Sequence, residues 1–407
     1  MTHWAWYILG ASFITTLGCN AIRLGYGVIL PEMMKSLGLN RTESGLTYSI
    51  LIVAYTTFAP IVGFLTDRIG GRKVITCSCA ILAIGVLLMS RVNHLVTVVL
   101  FLGIVGIGIS CGWIPVVALA TRWFSARKRG SVLGVINTGS KIGYGISGLI
   151  FPLVIARYNW RFAWIILGVF ALLMTIINGF VLRSKPEDLN LFPLGEKVNS
   201  NGPLSSLPSN YRKMLTRHIF WQIGVSYCLV AFCYYTFVSF IVTYGTLELG
   251  ITYRVAASFA SVLALGGLVG SVPIAALSDF WGRIRTILMS ELVVSLSILG
   301  LLAARSNLSM IFISIAIFGT FCSAIFPLYA ACAGDYFEKE MTGTVLGGWT
   351  FIYGAGASAG PLVAGFLSDV TGTLRWGFAL AGVASLTAAS LLLPQMKAKP
   401  GLQVIGS

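Results

Sequence analysis

Twelve apolar stretches, each about as long as a membrane-crossing helix, follow one another along this chain with mostly short polar breaks. The hydrocarbon core of a bilayer is about 30 Å thick, which takes about 20 helical residues to cross. No water is available there, so a crossing segment must bond its own peptide groups, and an α-helix does so within one segment. The expected helices run over about 4–34, 44–66, 74–90, 96–119, 131–155 and 161–182, then 218–244, 255–277, 286–303, 309–333, 343–367 and 376–393. The reading is an all-α membrane protein. The first stretch is too long for the apolar part of a cleavable leader and reads as a span.

Composition excludes the soluble alternatives. Hydrophobic residues make up 57% of the 407 residues and charged ones 10%, against about 25% charge in a soluble domain. Lipid must therefore be the outer solvent. The net charge of +15 would suggest nucleic acid in a soluble chain. Here it follows from basic loops, and no basic face with a readable fold accompanies it. All eight cysteines fall inside apolar stretches. Cys77 and Cys79, two apart on a helix, point away from each other. No zinc spacing, disulfide framework, phosphate loop or nucleotide fingerprint appears. No cofactor, metal or catalytic set is expected, and the chain does not read as an enzyme.

The Lys and Arg census orients the helices. One set of loops plus the C-terminus holds Arg68, Arg72, Lys73, Arg122, Arg127, Lys128, Arg129, Arg183, Lys185, Lys197, Arg212, Lys213, Arg217, Arg283, Arg285, Lys339, Lys397 and Lys399. The other side holds Lys35, Arg41, Arg91, Arg157, Arg161, Arg254, Arg305 and Arg375. Eighteen against eight puts both termini in the cytoplasm by the positive-inside rule. The one long polar break is rich in Ser, Pro, Asn and Gly and reads as a linker. It divides the chain into a six-helix bundle over 1–183, a cytoplasmic linker over 184–217 and a second bundle over 218–407. Two Asn-x-Ser/Thr matches, at Asn40 and Asn307, fall in short outward loops and read as chance.

A short motif occurs twice. GFLTDRIGGRK spans 63–73 and AALSDFWGRIR spans 275–285, after the second helix of each half. Each has an Asp at a helix end, where the helix dipole disfavours an anion, followed by Gly and basic residues. Such an Asp should seek a base or another helix's N-terminus. Gly63, Asp67, Arg68, Gly70 and Arg72 in the first copy, with Asp279, Gly282 and Arg283 in the second, are candidate gating residues.

With this motif the sequence resembles the major facilitator superfamily, whose loop pattern is Gly-x-Leu-x-Asp-Arg-x-Gly followed by basic residues. Gly63, Leu65, Asp67, Arg68, Gly70, Arg72 and Lys73 match it, as do Leu277, Asp279, Gly282 and Arg283, while Ala275 replaces the leading Gly. The resemblance covers the whole chain. It implies two pseudo-symmetric six-helix bundles that rock about a central site, the loops bracing the cytoplasmic side. RLGYGVILPEM and RSKPEDLNLFPLG look like bacterial permeases of that superfamily. The stretch leading into helix five is similar to monocarboxylate-transporter-like members. Gly267 and Ser271 stand roughly where those members carry an Asp and an Arg, and Leu102 stands where a helix-four Arg is common.

Two cations fall deep inside the apolar spans. Arg23 and Lys141 lie about 15 Å from the nearer ends of their expected helices, and each costs about 2.5–3.5 kcal/mol to insert there. Asn20 and Arg23 share one helix face, with Tyr26 at its edge. Asn137, Lys141 and Tyr144 share another. Glu32 lies nearly opposite Arg23 on its helix, and Glu291 stands five residues into its expected span, near the edge. A positive centre favours an anionic substrate, a carboxylate, with Arg23 as a bidentate clamp and Lys141 as a point charge. The resemblance implies the same role for a helix-one Arg. Trp113, Tyr234 and Tyr329 are among the aromatic residues expected near the substrate.

The reading is a secondary or facilitative transporter of a small organic anion, working by alternating access with or without a co-transported or exchanged ion. It is expected in a bacterial inner membrane, as a monomer with lipid and substrate as its partners. A drug efflux pump and a non-transporting anion sensor of the same fold are the alternatives.

Overall fold

The computed structural model describes residues 3–195, 215–305, 307–337 and 342–396. The expected linker lies largely outside this set. Among the described residues the chain forms α1 (Ala5–Leu37), α2 (Arg41–Ile69), α3 (Gly71–Met89), α4 (Leu95–Ile109), α5 (Ile114–Trp123), α6 (Ala126–Arg157) and α7 (Trp160–Val181). It continues with α8 (His218–Leu247), α9 (Tyr253–Trp281), α10 (Arg283–Ala303), α11 (Leu308–Tyr336), α12 (Thr342–Thr371) and α13 (Arg375–Leu392). A single 3-10 turn, Ser110–Gly112, joins α4 to α5, and these two make one crossing. The result is 12 spans long and apolar enough for a bilayer. Their apolar rows remain open on the outside: Phe280 is 89% exposed and Phe180 75%, as suits helices solvated by lipid.

Most helices start before the sequence places them. Hydropathy marks only the apolar middle, while the flanking polar residues go on winding. Asn40 and Asn307, the two glycosylation-type matches, prove to be helix N-caps. Asn40 Oδ1 accepts from the Glu43 amide at 2.7 Å and Glu43 returns the bond. Asn307 Oδ1 accepts from the Met310 amide at 3.2 Å. Both satisfy amides that a helix start leaves open.

Two compact units divide the chain, one of residues 1–202 with 252–261, the other of 203–251 with 262–407. Inside the first, α1 packs on α6 and α7, α3 on α4 and α7, and α2 on α4. Inside the second, α8 packs on α12 and α13, and α10 on α11 and α13. Counted as spans, the first pairs with the fifth and sixth, and the seventh pairs with the eleventh and twelfth in the same way. Backbone contact makes the tightest of these pairs. A Cβ added at Gly143 of α6 would collide with the Leu17 carbonyl of α1, and one at Gly356 of α12 with the Cys228 carbonyl of α8. Only glycine permits that approach.

The described start of the linker is pinned to the first unit. The Leu194 amide donates to the Trp123 carbonyl at 2.9 Å, the Ser125 amide to Leu194 at 3.2 Å, and the Trp123 indole to the Arg183 carbonyl at 2.9 Å.

The repeated motif has a repeated backbone. Gly70 joins α2 to α3 at φ 92°, ψ 145°, and Gly282 joins α9 to α10 at φ 95°, ψ 142°. Each is a one-residue corner in a region that side-chain-bearing residues almost never enter. Nothing lies within 4 Å of a Cβ built at Gly282, so Gly282→Ala isolates the backbone strain. It should cost about 1–3 kcal/mol and lower the melting temperature of the detergent-purified protein. Gly10→Ala, in an equally open place inside α1, should raise it slightly, because Ala is the better helix former.

Candidate functional site

The first unit organises a polar cluster half-way along α1. Asn20 donates to the Thr16 carbonyl at 2.8 Å, one turn back on its own helix, and to Ser140 Oγ on α6 at 3.1 Å. Its side-chain oxygen is thereby turned toward Arg23, whose Nη2 donates to it at 2.7 Å. The guanidinium also lies over the Tyr55 ring of α2, 5.2 Å from its centroid, a cation–π contact. Arg23 is thus oriented from two sides and remains half-buried. Lys141 follows Ser140 directly and is also half-buried. The Asn20–Ser140 bond ties α1 to α6 at this level, and Gly139 and Gly143 of α6 let the two backbones approach closely. Asn137, one turn before Lys141, is half-buried on the same helix.

Other expected contributors are placed elsewhere. Tyr26 is fully buried. Its hydroxyl lies 2.6 Å from Thr47 Oγ1 and its ring stacks on Tyr48 at 5.3 Å, both on α2. Three residues beyond Arg23, it lies about 60° round the helix, far enough to be taken into the packing of α2. Tyr144 is also buried, and its hydroxyl makes no hydrogen bond among the described residues. Trp113 is 41% exposed at the break between α4 and α5. In the second unit Tyr234 and Tyr329 are buried, and Tyr329 shares a 2.6 Å hydrogen bond with Ser226. Tyr329 stacks on Tyr227 at 4.7 Å, and Tyr227 meets Tyr353 at 4.8 Å. Tyr234 meets Phe326 edge-on at 5.2 Å.

The two motif loops hold ion pairs within their own units. Asp67 accepts from Arg122 of α5 at 3.1 Å. Asp279 pairs with Arg283 at 2.7 Å, and Arg283 also reaches Asp335 of α11 at 3.5 Å. Each Asp, placed where its own helix repels an anion, has found a base. Arg72 instead donates from Nε and Nη2 to the Gly179 carbonyl at 3.0 and 2.7 Å, near the end of α7, while Arg68 lies over the Phe64 ring. Gly63 lets α2 lie against Ile114 at the start of α5.

Sequence reasoning missed two features. Tyr55 is among the aromatic residues expected on the cavity helices, but its place under Arg23 joins two helices, and no spacing rule reports that. The second is Glu291. Its helix begins at Arg283, not three residues later, so Glu291 stands eight residues in, about 12 Å along the axis. It is only 1% exposed, so the second unit does contain a buried carboxylate. Glu32, by contrast, is partly exposed and pairs with Lys35 at 3.0 Å.

Known proteins are similar to this chain over most of their length. The family model described as Major Facilitator Superfamily matches residues 8–269 and 246–404. Monocarboxylate transporter 12-B of Danio rerio is 24% identical, over 96% of this chain and 86% of its own. The hexuronate transporter of Bacillus subtilis (strain 168) is 21% identical, over 88% and 87%. The probable sulfoacetate transporter SauU of Cupriavidus necator is 22% identical, over 92% and 90%. Among solved structures, an inward-facing, unoccupied bacterial homolog of the human lysosomal transporter Spinster superposes with a TM-score of 0.72. It does so at 16% identity, over 97% of this chain and 96% of that one.

The placement of Tyr26 has a direct test. Tyr26→Phe should lower stability by about 1 kcal/mol, the worth of one buried hydrogen bond, and leave substrate affinity unchanged. Thermal unfolding and a binding titration on the same preparation would separate the two effects.

Proposed function

The chain belongs to the Major Facilitator Superfamily, and we propose that it carries a small organic anion, a carboxylate, across the bilayer by alternating access. It is an integral membrane transporter and not an enzyme. The observation that carries the reading is Arg23, held half-way along a membrane-crossing helix by Asn20 at 2.7 Å and by the Tyr55 ring. A planar guanidinium with a fixed orientation is suited to two parallel hydrogen bonds with a carboxylate. In a medium without water its charge acts strongly on an anion. Lys141 adds a second positive charge on the neighbouring helix, next to the Ser140 that anchors Asn20. Relatives named for monocarboxylates, hexuronates and sulfoacetate all have anionic cargo in their names, which supports the same class here. In this reading Asn20 positions Arg23 and Asn137 flanks the anion. Asp67–Arg122 and Asp279–Arg283–Asp335 serve as breakable braces of the gating loops. Both termini lie in the cytoplasm of a bacterial cell, and the monomer is the working unit.

Uptake of labelled lactate, glucuronate and sulfoacetate into proteoliposomes tests the proposal. At least one should enter saturably, and Arg23→Gln should reduce its kcat/KM at least about a hundredfold, as for loss of a bidentate charged contact of about 3 kcal/mol. Unchanged anion uptake by that variant would remove Arg23 from the site. Asn20→Ala should raise KM about tenfold through loss of one charge-assisted bond.

A further inference from the structure

The break in the fourth span of the first unit has a local cause. Pro115 has no N–H to return to the carbonyl four residues back, which is that of Cys111. The chain forms the 3-10 turn Ser110–Gly112 before α5 begins, and Trp113 leaves helical geometry at φ −131°, ψ −65°. A short 3-10 piece inside a longer helix is held by poorer hydrogen bonds and is a natural hinge. Cys111 is the middle residue of that turn. It is fully buried, as are Cys79 of α3 and Cys19 of α1, and all three are free thiols.

The three thiols converge from three elements. Cys79 Sγ and Cys111 Sγ lie 3.9 Å apart, in direct contact. Cys19 is a further hydrogen-bonding neighbour of Cys111, and a Cβ built on Gly112 would lie 3.1 Å from Cys19 Sγ. A buried cysteine ordinarily packs as a small apolar group. Here one sulfur is given more than packing. Asn178, at the end of α7, donates from Nδ2 to Thr15 Oγ1 at 2.8 Å and to Cys79 Sγ at 3.5 Å. An N–H aimed at a sulfur steadies the negative charge that the sulfur carries as it attacks. Cys79 therefore fits the part of nucleophile, and Cys111, on the hinge, that of the partner that moves.

We propose that Cys79 and Cys111 form an oxidisable dithiol that hydrogen peroxide closes to a disulfide, and that this bond clamps the break of the fourth span to α3 and slows the transport cycle. Buried thiols are closed to charged reagents, whereas peroxide is small and neutral. The Cys79 sulfur attacks one peroxide oxygen, the O–O bond breaks, and water leaves a sulfenic acid behind. The Cys111 sulfur then attacks the Cys79 sulfur and displaces the hydroxyl as a second water. Each sulfur gives up one electron, and the peroxide takes both. The sulfurs must close from 3.9 Å to about 2.05 Å, a movement that the 3-10 turn permits more readily than the unbroken helix α3 does. A small neutral dithiol reverses the bond by exchange. The clamp would lie beside the polar cluster of α1. The Gly112 carbonyl, next to Cys111, accepts from Thr16 Oγ1 at 3.3 Å, and the Thr16 carbonyl is the one that anchors Asn20. The dithiol does not depend on the anion reading; only its readout through anion uptake does.

The two halves have separate readouts on the full-length protein in lipid. After peroxide treatment, peptide mapping by mass without reduction should recover the Cys79 and Cys111 peptides joined, lighter than their sum by the two hydrogens lost. A small neutral dithiol should separate them. Cys19→Ser should keep the linkage, and Cys79→Ser and Cys111→Ser should each lose it. No linkage after peroxide, or one that joins Cys111 to Cys19 in the wild type, overturns the assignment. The second readout is uptake of lactate, glucuronate and sulfoacetate into proteoliposomes. Linkage should lower the wild-type kcat at least about tenfold, as for a restrained conformational step, and the dithiol should restore it. Cys79→Ser should transport as untreated wild type does and should not respond to peroxide; Cys79→Ala serves the same purpose if the serine variant fails to fold. Unchanged uptake after full linkage, or an equal loss in Cys79→Ser, overturns the clamp. If wild type moves none of the three anions, the anion reading fails, and hydrogen exchange decides the clamp instead. The amides of residues 110–117 should then exchange about tenfold more slowly in the linked protein, and unchanged exchange overturns it.

Discussion

Inside a bilayer a peptide group has no water to turn to, and every other property of this molecule follows from that constraint. It forces the chain into helices that close their own hydrogen bonds. It also removes the usual hydrophobic drive for helix association, because lipid is as apolar as the side chains. What remains is shape. Helices adhere where their backbones touch, as at Gly143 on Leu17 and Gly356 on Cys228. The same rule acts on α1 with α6 and on α8 with α12, so the halves share one pattern of pairing although few of their residues coincide.

The low-dielectric interior gives charge a meaning it lacks in water. Arg23 and Glu291 both sit where an ion is costly, and their surroundings answer that cost in different ways. Arg23 is fixed in one orientation by an amide and an aromatic face, as a group meant to remain charged. Glu291 is buried, with the Ser385 hydroxyl bonded to one of its carboxyl oxygens. At the loop ends the Asp residues are exposed and paired, so their bonds are individually weak and easily exchanged. Strong charge effects are confined to the middle of the helices, and weak ones to the ends.

The spans and the repeat of the loop motif in both halves were legible in the sequence because each depends on local chemistry. A run of apolar residues and an Asp at a helix end act through their immediate neighbours, whereas the one-residue corners at Gly70 and Gly282 emerge only in the fold. Asn20 with Arg23 was legible for the same reason, since helical spacing alone puts them on one face. Tyr26 was not, because a residue 60° off that face is claimed by whichever helix packs beside it, and only the fold says that α2 does. The burial of Glu291 was not legible either, because it depends on which helices pack against α10. Ser385 lies 94 residues away from Glu291, and no pattern in the chain points from one to the other. The pinned start of the linker at Leu194 escaped notice because its bonds are backbone bonds, indifferent to side-chain type.

Two helices in backbone contact along several turns resist bending together as a laminated beam does, much more than two separate rods. Within the first unit α1 and α6 are joined in this way, and the Asn20–Ser140 bond pins the lamination beside its charged residues. Arg23 and Lys141 are mounted on the same beam. Whatever else flexes in that unit, the two backbones that carry these residues move as one piece.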